Sequence, residues 1–133
     1  MEKCSATYFT CTLPAGVMGP GQGIIITAVA KHTTGTATVT YTLSFGGTST
    51  TVVQPGGAAN QIEHVTYLVM NNSGSTSAQT ISTVGQDSNG GTNSVKLDTA
   101  AVSTGSAVTI NLQFNVAATD AITPEMFLVE LKQ

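Results

Sequence analysis

Thr36-Ala37-Thr38-Val39-Thr40-Tyr41-Thr42-Leu43-Ser44-Phe45 sets a small hydroxyl residue at every even number and an apolar residue at every odd one. Successive side chains of a strand point to opposite faces, so a period of two describes a strand with one wet face and one dry face. The pattern returns in Ala107 to Val116, where Val108, Ile110, Leu112, Phe114 and Val116 alternate with Thr109, Asn111, Gln113 and Asn115. Amphipathic strands of this kind belong to antiparallel sheets that bury one face each. The chain therefore reads as all-β, an antiparallel β-sandwich.

Working outward, turn-forming residues punctuate the chain at the spacing of an all-β domain. A first strand near Ala6 to Leu13 ends at Pro14, and a Gly- and Pro-rich loop runs to Gly23. Strands follow at Ile24–Lys31, Thr36–Phe45 and Thr48–Val53, the last two joined by Gly46-Gly47. Further strands are predicted at Gln61–Met70, Ser77–Gln86, Thr92–Leu97, Ala107–Ala117 and Glu125–Leu131. Eight to nine strands without a helical stretch fit a jelly-roll-like sandwich. The Cys and Trp markers of an immunoglobulin domain are missing, which places that alternative second. In Gln61–Met70 both faces carry apolar residues, so this strand is expected to be covered on both sides, one of them by another subunit.

The 133 residues form a single domain, 1–133, large enough to bury roughly two thirds of the surface of the unfolded chain. Only 8% of the residues are charged, against about 25–35% on the surface of an ordinary soluble domain. Thr, Ser, Asn, Gln and Gly supply the remaining polarity, and such neutral faces associate at little cost in charge desolvation. The four cations are all lysines, Lys3, Lys31, Lys96 and Lys132, spread along the chain. Without arginine forks or a basic patch, nucleic acid is not an expected partner. The apolar run at Ile24 to Ile26 is far shorter than the roughly 20 residues of a spanning helix, so no membrane partner is expected. No hydrophobic leader follows Met1, which predicts folding in a cytoplasm, with Cys4 and Cys11 as reduced apolar fillers.

Catalysis needs a base, a nucleophile or a metal in defined geometry. Glu63 and His64 are the closest candidates, but neighbours on a strand face opposite ways and cannot act on one substrate. His64, in line with Ile62 and Leu68, reads as a core or interface histidine, and His32 as a surface residue in a turn. Asp87, Asn89 and Gly90 resemble the start of a calcium loop but lack its later acidic ligands, so turn formation explains them. Gly19-Pro20-Gly21-Gln22-Gly23 has no following Lys-Ser/Thr and is a surface loop rather than a phosphate cradle or a reaching arm. Asn71-Asn72-Ser73 matches a glycosylation acceptor only incidentally. The seven acidic residues stand singly, which disfavours a carboxylate-pair sugar hydrolase. The expectation is a protein that is not an enzyme, with no catalytic residue, no metal site and no cofactor.

The order of segments Thr12-Leu13-Pro14-Ala15, Gly23-Ile24-Ile25-Ile26-Thr27-Ala28, Leu43-Ser44-Phe45-Gly46-Gly47-Thr48 and Phe127-Leu128-Val129-Glu130-Leu131 resembles small jelly-roll structural proteins of tailed bacteriophages. That group includes capsid decoration or cement subunits and fibre knobs. The resemblance implies a virion protein made in the host cytoplasm, homotrimeric, whose partners are the major capsid protein or other virion proteins. A first strand so close to Met1 leaves no stalk, which favours a capsid decoration subunit over a knob. The alternative is a receptor-binding knob of a head or tail fibre, holding host glycan with the loops Gln54–Asn60, Asn71–Thr76 and Asp87–Gly91, which carry no aromatic face. Apolar residues in excess of one core, Tyr8, Phe9, Tyr41, Tyr67, Val69 and Phe127, are the expected subunit contacts.

Overall fold

Alternation alone sorts the side chains of Val39–Phe45: Val39, Tyr41, Leu43 and Phe45 are buried, and Thr40, Thr42 and Ser44 point away from the core. A computed structural model describes residues 5–6, 9–34, 38–54, 60–88, 94–116 and 120–133. The strands are β1 (Ser5–Ala6), β2 (Phe9–Leu13), β3 (Gly23–Thr34), β4 (Val39–Phe45), β5 (Thr48–Gln54), β6 (Gln61–Asn71), β7 (Gln79–Asp87), β8 (Ser94–Ala100), β9 (Val108–Asn115) and β10 (Ala121–Lys132). Nine of them have five residues or more, and β1 is a two-residue bridge.

Two antiparallel sheets result, in the orders β1-β2-β9-β4-β5 and β10-β3-β6-β7-β8. We call them sheet A and sheet B. The chain stays within a sheet at the β4–β5, β6–β7 and β7–β8 connections and changes sheet at the others from β2 onward. The protein is thus a β-sandwich with every strand pair antiparallel. The β4–β5 connection is Gly46-Gly47, with φ of 56° and 89°. Two consecutive left-handed residues make the turn whose twist matches the flanking strands, and glycine adopts them without a Cβ penalty.

The core lies between the sheets, with Tyr41, Leu43, Phe45, Ile110 and Leu112 from sheet A meeting Ile24, Ile26, Val65, Tyr67 and Ile81 from sheet B. Aromatic rings close one side. Phe9 of β2 stacks on Phe127 of β10 with centroids 4.8 Å apart, and Phe114 meets both Phe9 and Tyr41 edge-on at 5.9 and 5.2 Å. Polar contacts close the other side, where the Thr50 hydroxyl of β5 donates to Asp98 of β8 and the Ser94 hydroxyl donates to the Val53 carbonyl at 2.8 Å.

At one end of the sandwich an amide network ties three loops together. Asn71 Nδ2 donates to the carbonyls of Met18 and Gly19 and to Thr104 Oγ1, while Gln79 Nε2 donates to Asn71 Oδ1 and the Val102 carbonyl. The glycine-rich loop before β3 is therefore held down rather than left as a reaching arm. Its Met18 side chain is buried, and Asn71 is committed to the interior.

Two expectations are corrected here. His32 is fully buried, because β3 continues past Lys31 as a paired strand: His32 opposes Gln61 of β6 and Ile122 of β10. Phe9, Tyr41, Tyr67 and Val69 are buried in the core of this single chain, so their side chains are not available to another subunit. Phe127 is partly buried by its stack on Phe9. Tyr8 and Cys4 lie outside the described residues, as do residues 55–59 and 89–91, Asn89 and Gly90 among them, of two loops expected to hold glycan, whereas Asn71–Thr76 is described throughout. Cys11 is half-buried and packs against the core.

Candidate interaction surface

The inner face of β6 carries Gln61, Glu63, Val65, Tyr67, Val69 and Asn71; its outer face carries Ile62, His64, Thr66, Leu68 and Met70. Glu63 and His64 accordingly face opposite ways. What Glu63 meets instead is Tyr41, whose hydroxyl donates to Glu63 Oε2 at 2.6 Å. His32 Nε2 donates to Asp120 Oδ2 at 3.1 Å. Glu63 Oε1 and His32 Nδ1 have no hydrogen-bond partner among the described residues. Burial pushes the Glu63 carboxyl above the usual carboxylate range and the nearby Asp87 pushes the same way, while the Tyr41 hydrogen bond and His32 oppose the shift. Burial likewise raises the Tyr41 and Tyr67 phenols, so neither ionises at ordinary pH.

These groups were not visible as a set in the sequence, since Glu63, Tyr41, His32 and Asp120 come from four separate segments. Both Glu63 and His32 have no exposed surface, and they sit between the sheets. Placed there, they are part of the packed interior of the folded state. Among the described residues no three His, Cys, Asp or Glu side chains come together as a metal site.

The surface of the sandwich is more informative. Strand registers assemble the outer face of sheet A from the rows Thr10–Asn111–Ser44–Ser49, Gln113–Thr42–Thr51 and Asn115–Thr40–Val53. It is a hydroxyl and amide surface with no charged side chain among these residues, knit in part by a Thr42–Thr51 hydroxyl bond of 3.2 Å. The outer face of sheet B is of another kind. Its rows read Met126–Val29–His64–Gln86, Leu128–Thr27–Thr66–Val84–Val95 and Glu130–Ile25–Leu68–Ser82–Leu97. Val95 and Leu97 are 73% and 71% exposed, and Ile62, Met126 and Leu128 are exposed as well. Among the described residues charge on this face sits at its rim, with Lys31 in the end row and Glu125, Glu130 and Lys132 on the edge strand β10.

Eight of the fourteen residues in these rows are apolar, and Thr27, Thr66, His64, Ser82, Gln86 and Glu130 are interleaved with them, so the face is mainly apolar with hydroxyl and amide positions between. The sequence pointed to this surface only through β6, whose second apolar face is the middle of it. Of the expected subunit contacts, Phe9, Tyr41, Tyr67 and Val69 belong to the core and Phe127 is partly buried against it. Met126, Leu128, Val95, Leu97 and Ile62 were not singled out, because an exposed apolar side chain becomes a patch only after registers align its neighbours.

Comparison with protein families, with characterised proteins and with solved structures finds no match to this chain.

Proposed function

We propose that this chain is a non-enzymatic structural subunit of a virus particle, most simply a capsid decoration subunit that binds the assembled shell of a tailed bacteriophage. One observation carries this reading: the two broad outer faces are almost free of charge, one apolar and the other built of hydroxyls and amides. A solitary soluble domain gains solubility from scattered charge, whereas a subunit whose faces become covered avoids the cost of desolvating it. The order of the sequence segments, similar to that of small phage structural proteins, supplies the setting. In this role the subunit adds stability by mass action, since it binds the closed shell and not its separated parts.

The decisive experiment is the stoichiometry of the chain in purified particles, measured by quantitative mass spectrometry, with heat resistance compared before and after it is stripped. A fixed ratio to the shell protein and a lower disruption temperature after stripping are expected. Absence from particles, or stripping without any effect on heat resistance, removes the decoration role.

A further inference from the structure

The outer face of sheet B is, we infer, the surface on which two copies of this chain meet, face to face across a two-fold axis. The inference names one partner for the assembly role proposed above and rests on that reading. Of the exposed large hydrophobic side chains among the described residues, Ile62, Val95, Leu97, Met126 and Leu128 belong to this face, and Val53 and Leu131 lie elsewhere.

That distribution selects the partner. A ring of three or more copies joins one surface of a subunit to a different surface of the next, whereas a two-fold pair joins a surface to itself. The opposite face of the sandwich is the Thr, Ser, Asn and Gln surface of sheet A, where Val53 alone among the rows offers an apolar side chain. The apolar face therefore finds its match only in its own copy. This two-fold pair replaces the three-fold arrangement that the sequence resemblance implies, and it leaves the neutral face of sheet A open to the shell.

The dimensions suffice. Five strands about 4.8 Å apart, over roughly eight residues of about 3.3 Å each, give a face of about 650 Å². Two such faces, covered from β10 to β8, bury at most about 1,300 Å², which leaves room for a solvated rim above the roughly 1,000 Å² that a specific interface requires. Sheets in aligned packing interdigitate the side chains that the rows present. The rim position of Lys31, Glu125, Glu130 and Lys132 keeps their charges in water when the centre is covered.

The test is sedimentation equilibrium and light scattering on the isolated full chain, alongside two double variants. Val95→Lys with Leu97→Lys alters the apolar face at its most exposed positions, where folding does not depend on the side chains. Thr42→Lys with Thr109→Lys places the same charges on the opposite face. The wild type should run at twice the 13.5 kDa chain mass. The first variant should weaken the dimer about a hundredfold or more, and the second should leave it within about threefold. If the first variant does not fold, Leu128→Lys on β10 takes its place. A wild-type monomer at the highest workable concentration, a trimer, a dimer indifferent to the apolar-face variant, or a monomer that instead sediments with phosphatidylcholine vesicles would each overturn the inference. None of these outcomes alters the stoichiometry in particles, which decides the assembly role separately.

Discussion

Glu63 shows how a single residue couples this fold to pH. Its carboxyl takes up protons more readily folded than unfolded, because burial raises its pKa with Asp87 adding to the shift. The stabilising effect of protonation is therefore fully present below the unfolded-state value and disappears as pH rises through the higher folded value. Above that point the chain holds a buried carboxylate with Oε1 unpaired among the described residues. Glu63→Gln keeps an acceptor for the Tyr41 hydroxyl and removes the titration. Its urea-unfolding free energy should equal or exceed that of the wild type at pH 8, by about 1–2 kcal/mol, and the difference should shrink toward pH 4. A wild-type advantage that grows with pH would refute this account. The opposition of Glu63 and His64 was legible in the sequence from the strand period alone. The burial of His32 was not, since the following Thr33-Thr34-Gly35 looks like a turn in sequence, whereas His32 is paired on both sides, with Gln61 of β6 and Ile122 of β10.

Gly23 and Asn71 set the limits of what local pattern reveals about whole elements. The strands themselves were readable, because Val39–Phe45 and Val108–Asn115 alternate cleanly and Gly46-Gly47 marks the hairpin from β4 into Thr48–Gln54. The extra length of β3 and β10 was hidden, because each is extended by the other through a pairing about ninety residues away in sequence. The choice of inner face in β6 was hidden too, as both of its faces carry apolar residues. At the start of β3, a Cβ on Gly23 would overlap the Val69 carbonyl oxygen and the Met70 sulfur. The carbonyl belongs to the β3–β6 ladder and cannot move freely. Gly23→Ala should cost about 1–3 kcal/mol, seen as a lower thermal midpoint at unchanged strand content. Asn71→Ala should cost about 1–3 kcal/mol, because it removes the hydrogen bonds that tie Met18, Gly19 and Thr104 to β6 and leaves one Gln79 Nε2 hydrogen without its Asn71 acceptor, while the Met18 carbonyl keeps the Thr104 hydroxyl and the Gly19 carbonyl keeps the Gln22 amide. Hydrogen exchange in the segments around Met18 and Thr104 should rise more than in β4, and uniform loss of protection would count against a loop-tying role.

At the scale of the molecule, the two outer faces give opposite answers to the question of what holds copies together. Neutral composition was evident from the sequence, but its division into an apolar face and a hydroxyl face arises only when strands from distant segments are set in register. Association through the apolar face depends on surface removed from water and hardly on charge, since Lys31, Glu125, Glu130 and Lys132 stay at its rim. Charge-driven association would weaken steeply as the screening length falls from about 14 Å at 0.05 M salt to about 4 Å at 0.5 M. Self-association of this chain should instead change by less than about threefold across that range of sodium chloride. It should tighten in sodium sulfate, which is excluded from apolar surface, and weaken on cooling from 25 to 5 °C. Sedimentation equilibrium over the two salt series and the two temperatures reads all three responses. Loss of the dimer at high sodium chloride would mean that the rim charges, and not the apolar rows between them, hold the copies together.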